Sequence, residues 1–283
     1  MRLLSGAPMR HQDSHGRGTP LRARWVAAVA AMVGLAALAG CGSDPAPEDD
    51  VIASGTPVPK ISAPTTTASP DDGAVPSVHP TTATIAIATD TSVDVYDGPG
   101  GALSQTIEAA DVLTVPDQTP LTFLVEADAG DWVNVHLPIR PNGSTGWVAA
   151  DEVQLISTDF RVEVVLDEFS MTVYQGDEVV LESEIGVGRS DRPTPGGVYY
   201  IRELLQPPDP DGVYGPYAYG LSGYSPVLDS FNGGDAVIGI HGTNEPDSIG
   251  TLASSGCIRL PNDVITELVT DVGLPLGTPV YVE

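Results

Sequence analysis

Short alternating stretches of apolar and polar residues, each closed by glycine, proline or asparagine, recur through the chain and commit it to a mainly β fold. Ser92-Val93-Asp94-Val95-Tyr96, Leu121-Thr122-Phe123-Leu124-Val125 and Trp132-Val133-Asn134-Val135-His136 have the spacing of half-buried strands. Between them stand Gly98-Pro99-Gly100-Gly101, Asp128-Ala129-Gly130-Asp131 and Pro141-Asn142-Gly143-Ser144, the chemistry of tight turns. Asn142-Gly143-Ser144 also fits a glycosylation acceptor but is read here as a turn. A second series follows: Arg161–Leu166, Met171–Tyr174, the hairpin turn Gln175-Gly176-Asp177, then Glu178–Ile185. Near the end the period changes. Val264, Ile265, Leu268 and Val272 share a helical face, with Asn262 expected to cap the helix and Gly273 to stop it, before a strand over Pro279–Val282. The 31 glycines and 26 prolines in 283 residues agree with few and short helices.

The first 40 residues read as an address. A basic region, 1–24, precedes Trp25–Ala39, an unbroken run of 15 apolar residues, short of the roughly 20 that a spanning helix needs and suited to a signal-peptide core. It ends in Leu38-Ala39-Gly40-Cys41, which resembles the bacterial lipobox. That resemblance implies cleavage before Cys41, lipidation of Cys41, and a protein held on the outer face of the cytoplasmic membrane, facing the cell wall. Residues 41–82 are rich in proline, threonine, serine and aspartate, without strand or helix period, and are expected to be a disordered tether.

Charge excludes one class of partner. Five of the 12 basic residues and only one of the 38 acidic ones precede Cys41, leaving 7 against 37, or −30, from there on. Such a chain repels phosphate backbones, so no nucleic acid is expected as partner. Two cysteines make no disulfide framework, and no Cys/His cluster offers a metal site. Gly186-x-Gly188 lacks the third glycine of a dinucleotide fingerprint, and there is no G-x-S-x-G elbow.

With Cys41 lipidated, Cys257 is the one remaining thiol, in Ser254-Ser255-Gly256-Cys257-Ile258-Arg259-Leu260. His241 stands 16 positions upstream; the other histidines beyond residue 41 are His79, in the tether, and His136, expected on a strand surface. A thiol with an ordinary pKa of about 8.5 needs a base to become a nucleophile, and an imidazole can supply it. A glycine before the cysteine lets backbone amides face a developing oxyanion. On spacing alone, a structural cysteine near a satisfied core histidine remains open.

The surrounding pattern is far more specific. "H-G-T-N-x-P-x-S-I-G … S-x-G-C-I-R-L", with Gly186-Val187-Gly188-Arg189 and Pro193-Thr194-Pro195-Gly196-Gly197-Val198-Tyr199-Tyr200-Ile201 upstream, resembles the L,D-transpeptidase (YkuD-type) catalytic domain over residues 160–283. Asp131–Val135 followed by Thr145-Gly146-Trp147-Val148 resembles a bacterial SH3-like module, placed at 83–156. The two resemblances imply a small SH3-like β-barrel followed by a β-sandwich catalytic domain with a few short helices.

The family resemblance implies Cys257 as nucleophile, His241 as its base, and the Gly242 carbonyl as the group orienting the imidazole. It implies an oxyanion and substrate site from Ser254, Ser255, Gly256 and Arg259, with Arg259 binding a substrate carboxylate; a surface ion pair is the alternative for that arginine. Tyr214-Gly215-Pro216-Tyr217 and Leu221-Ser222-Gly223-Tyr224 look like the loop covering the cleft; the Gly/Pro-rich setting makes Tyr214, Tyr217, Tyr219 and Tyr224 candidate groove residues, with a core position as the alternative. Ser255 departs from the family, which commonly has histidine there. The implied function is peptidoglycan L,D-transpeptidation, forming 3→3 cross-links between stem peptides through a cysteine thioester. No cofactor or metal is expected, and the protein is expected to act as a monomer. An L,D-carboxypeptidase using water, or a non-catalytic wall-binding lipoprotein, are the alternatives.

Overall fold

The computed structural model describes residues 79–231 and 234–283. The expected signal peptide, the lipidation site Cys41 and the tether up to residue 78 lie outside the described residues. Among those described, no helix is long and apolar enough to cross a membrane. The fold is mainly β: an N-terminal antiparallel sheet precedes a curled mixed sheet, with few short helices. Both sheets fall in one compact unit.

The first sheet has seven strands in the order Leu103–Glu108, Ser92–Tyr96, Thr145–Ala149, Trp132–His136, Thr122–Asp128, Ala83–Ala88, Val153–Thr158. Alternation places Val93, Val95, Val133, Val135 and Val148 inward, where they pack with Phe123, Leu121 and Ile107. The second sheet runs Glu178–Glu184, Ser170–Gln175, Phe160–Val165, Pro279–Val282, Gly197–Leu205, Ala218–Tyr224, Val237–His241, Ile258–Arg259. Two of its pairings are parallel: Pro279–Val282 with Phe160–Val165, and Val237–His241 with Ile258–Arg259. Val162, Val164, Met171, Val173, Ile201, Leu221, Ile240 and Ile258 form its core.

The strand Gly197–Leu205 joins the two layers. Tyr199, Tyr200, Ile201, Arg202 and Glu203 are buried in succession, so both faces of this strand are covered. Tyr199 and Ile201 belong to the second core, whereas Tyr200 belongs to the core of the N-terminal sheet. Beside it Glu203 accepts from the Thr114 amide at 2.8 Å and hydroxyl at 3.1 Å, and pairs with Arg202 Nη2 at 3.3 Å. A buried carboxylate needs such partners to offset its lost hydration. Replacing Tyr200 by Ala should destabilise the protein by about 3–5 kcal/mol, the usual range for a deleted buried ring. Tyr200→Phe should cost less than about 1 kcal/mol, because the hydroxyl is buried without a partner and no bond is lost. Urea unfolding of the two variants checks this, and equal losses would contradict it.

Two expectations are corrected here. Leu221–Tyr224 is no covering loop; it is the buried end of the strand Ala218–Tyr224. The alternation there is masked because its faces meet a core on one side and the N-terminal module on the other. The C-terminal helix, Asn262–Glu267, continues as a wider turn over Leu268–Val272 and stops at Gly273 with φ 69°. Ile265 and Leu268 are buried, with Val264 and Val272 packed partly against the same core. Its cap position is Pro261. Asn262 is the first helical residue, and its carboxamide is engaged elsewhere.

Candidate active site

Cys257 lies between two short strands, Leu252–Ser254 and Ile258–Arg259, and both are held from outside. Leu252–Ser254 pairs in parallel with Val187–Gly188, and Gly186 and Arg259 exchange amide–carbonyl bonds of 2.9 and 2.7 Å. Ser254 closes the turn from within. Its hydroxyl donates to the Cys257 carbonyl at 2.5 Å and accepts from the Gly256 amide at 3.1 Å. Gly256 has φ +121°, a conformation that residues with a Cβ rarely adopt.

His241 ends the strand Val237–His241, paired with Arg259 across the parallel ladder. The residue is 5% exposed. Its Nδ1 lies 2.5 Å from the Gly242 carbonyl oxygen. A carbonyl only accepts, so Nδ1 carries the proton and Nε2 of the neutral ring is left free as a base. Tyr214 stands edge-on to the imidazole at 5.0 Å between centroids. Burial lowers the His241 pKa to about 4, opposed by the Gly242 carbonyl and assisted by the Arg259 cation. The depressed value makes folding weaken as pH falls. Below about 6.5 the unfolded state takes up a proton that the folded ring refuses, so about 3 kcal/mol is lost between pH 6.5 and 4.

The segment after His241 is fixed by Asn262. Its Oδ1 accepts the Thr243 amide at 2.8 Å, and a side chain on Gly242 would run into that same oxygen. The Gly242 amide also donates to the Tyr217 carbonyl at 3.3 Å. Asn262 is thus a site-supporting residue that sequence reasoning assigned to helix capping, since nothing local signals a partner 19 residues away.

Burial pushes the Cys257 thiol up, opposed by the Gly239 backbone and by Arg259. The residue is half-buried, and Sγ lies 4.0 Å from the Val237 carbonyl. At neutral pH the resting pair is therefore thiol and neutral imidazole, and a proton has to move before sulfur can attack.

His241, Ser254, Ser255, Cys257 and Arg259 line one cleft of about 270 Å³, whose remaining wall is Val213, Tyr214, Leu228, Phe231, Ala236, Val237 and Ile238. A larger open groove of about 520 Å³ holds Asp211, Asp263, Glu267 and Asp271 but no thiol, imidazole or guanidinium, so the candidate chemistry lies in the smaller cleft. Among the described residues, no three His, Cys, Asp or Glu side chains are grouped to hold a metal.

The other expected residues have mixed placements. Ser255 is half-buried, and its hydroxyl accepts from Arg192 Nη1 at 3.3 Å, a neighbour that no sequence motif announced. The Gly256 amide, expected to face an oxyanion, is already bound to Ser254; the Cys257 amide has no acceptor among the described residues. Arg259 Nη1 pairs with Glu245 at 2.6 Å, while its Nε is buried without a partner. Tyr224 is not in the cleft: its hydroxyl donates to the Pro138 carbonyl at 2.5 Å, buried against the N-terminal module. Tyr219 is a core residue and Tyr217 packs partly on that core. Of the four tyrosines only Tyr214 lines the cleft.

A cysteine, a singly hydrogen-bonded histidine and an arginine thus line one cleft. The YkuD L,D-transpeptidase catalytic domain profile matches residues 159–282. The YkuD protein of Bacillus licheniformis is 35% identical over 153 residues, 52% of this chain and 83% of that protein. Its counterpart in Bacillus subtilis is 32% identical over 123 residues, covering 44% and 65%. A solved structure of a mutant Enterococcus faecium L,D-transpeptidase is 25% identical, with a TM-score of 0.35, over 44% of this chain and 49% of that one. The chain thus spans about half the length of that solved relative. It belongs to the L,D-transpeptidase family.

Proposed function

We propose that the protein is a peptidoglycan L,D-transpeptidase that joins stem peptides by 3→3 cross-links through a thioester on Cys257. The observation that carries this reading is the imidazole of His241, held neutral by burial and oriented by the Gly242 carbonyl in the same cleft as the only described thiol. In this reading Nε2 takes the thiol proton as Sγ attacks the carbonyl of the third residue of a donor stem. The C–S bond forms, the C–N bond to the terminal D-alanine breaks, and the imidazolium hands its proton to the departing amine. The Cys257 amide donates to the oxyanion, and Arg259 holds a substrate carboxylate in exchange for Glu245. The side-chain amine of a second stem then attacks the thioester and restores the thiol.

The N-terminal sheet is proposed to be an SH3-like module, and Cys41 to carry the lipid that keeps the enzyme at the outer membrane face. No cofactor enters the scheme. Incubation with a tetrapeptide stem, followed by chromatography of products, tests the reaction. D-alanine with a cross-linked dimer supports it; D-alanine with free tripeptide alone assigns the acceptor role to water; no D-alanine from folded protein contradicts it.

The lowered His241 pKa sets the expected pH dependence. Cys257 acylation should fall as pH drops through about 4, where Nε2 becomes protonated, and should show no step between 6 and 7. Acylation by a β-lactam, followed by intact mass at each pH with circular dichroism as the folding control, measures this. A midpoint near the ordinary histidine value of about 6.5 would contradict it.

A further inference from the structure

One wall of the cleft is tied to the other half of the molecule. The turn Pro138–Asn142 of the N-terminal module reaches the end of the strand Ala218–Tyr224 and the residues after it. Asn142 treats Tyr224 as a neighbouring strand would: its Nδ2 donates to the Tyr224 carbonyl at 2.8 Å and its Oδ1 accepts the Tyr224 amide at 2.9 Å. This engages the very amide nitrogen that a glycosylation acceptor would need. Arg140 spans the next turn. Its Nη1 donates to the Ser225 carbonyl at 2.7 Å and its Nη2 to the Leu228 carbonyl at 2.8 Å, with the guanidinium 4.8 Å from the Tyr224 ring centroid.

These bonds add to those within the wall itself. Within it, Ser225 donates its amide to Ala236 at 2.7 Å, and the Ser225 hydroxyl accepts the amides of Val227 and Leu228 at 3.3 and 3.1 Å. Tyr224 faces Val237 across the ladder. Leu228, Ala236 and Val237 line the cleft, and Val237 begins the strand that ends in His241. A planar guanidinium on two carbonyls three residues apart fixes both ends of that turn, which a single-point ammonium does not.

We propose that Arg140 and Asn142 are positioning residues of the cleft: the N-terminal module holds the Tyr224–Leu228 and Ala236–Val237 wall in place, so both modules build the substrate site. The kinetic part of this inference rests on the reading of the cleft as the site of Cys257 acylation. The structural part does not.

The test uses the full chain with Arg140→Ala, Arg140→Lys and Asn142→Ala. Hydrogen exchange at the amides of Tyr224, Ser225, Val227 and Leu228 should speed up at least tenfold in Arg140→Ala, with residues 160–201 unchanged. Acylation by a tetrapeptide stem should lose at least fivefold, mainly through KM, while alkylation of Cys257 by iodoacetamide stays within twofold. Arg140→Lys should recover part of both losses, because it can still reach one carbonyl. Unchanged exchange at these amides, or a stem KM unchanged despite faster exchange, would overturn the proposal. If Arg140→Ala loses protection throughout, Arg140→Lys and Asn142→Ala give the same local readout. A wild-type protein that is never acylated sinks the proposed reaction, and exchange still decides whether the module holds the wall.

Discussion

Cys257→Ala and His241→Ala are each expected to lower single-turnover release of D-alanine from a stem by about 10⁴-fold or more, and the double variant to be hardly worse than either. Groups that act as one unit lose nearly all their effect with the first removal. The resting state makes the dependence on His241 strong: burial pushes the thiol up, so little thiolate exists without a base to accept its proton. Ser255→Ala offers the contrast. Its hydroxyl accepts one long bond from Arg192 at 3.3 Å, and even a bond to a developing charge is worth roughly 1.5–3 kcal/mol, a loss of about 10- to 150-fold at most. Single-turnover D-alanine release by the four variants, each with circular dichroism as a folding control, checks the pattern. A Ser255→Ala protein as inactive as His241→Ala would contradict the assigned roles.

Gly256→Ala is expected to lose about 100-fold in acylation and about 1–3 kcal/mol in stability. The cause is conformation, not crowding. A Cβ on Gly256 would meet the Pro193 carbonyl at 3.5 Å and Ile238 Cγ2 at 3.7 Å, ordinary contacts. At φ +121° it would nevertheless strain the backbone by roughly the cost of a sparsely populated conformation. Rotating a peptide to relieve that strain would break the Gly256–Ser254 bond and re-aim the Cys257 amide. Stopped-flow acylation and urea unfolding measure the two losses. A variant with wild-type acylation would mean that the geometry of this turn does not matter to the chemistry.

How much of this was readable in advance depended on whether one face or two were buried. The strands Ser92–Tyr96 and Trp132–His136 have one face to the core, so alternation marked them at their observed ends. The hairpin around Gly176, with φ 60°, is marked too, but its strands run Ser170–Gln175 and Glu178–Glu184 against the expected Met171–Tyr174 and Glu178–Ile185. Leu103–Glu108 carries almost no pattern because it is an exposed edge strand, with only Ile107 buried. Gly197–Leu205 and Ala218–Tyr224 hide their period for the opposite reason, being covered on both faces. That is why Tyr224 reads as a groove tyrosine in sequence and sits at a module contact in the structure.

Within the candidate site, His241, Ser254, Ser255, Cys257 and Arg259, which the local sequence motifs single out, are brought to one cleft. What local sequence does not carry is their support. Asn262 on Thr243, Arg192 on Ser255, Glu245 on Arg259 and Arg140 on Leu228 are contacts between distant segments. They follow from chain topology, which has no local period to read.

Peptide mapping of the intact protein by mass spectrometry, after brief incubation with a tetrapeptide stem, tests the central claim most directly. The account predicts one hydroxylamine-labile acyl group on Cys257 with the mass of the tripeptide, released D-alanine in equal amount, and neither in His241→Ala. A protein that releases D-alanine while Cys257 stays unmodified, or that keeps doing so as Cys257→Ala, would contradict it.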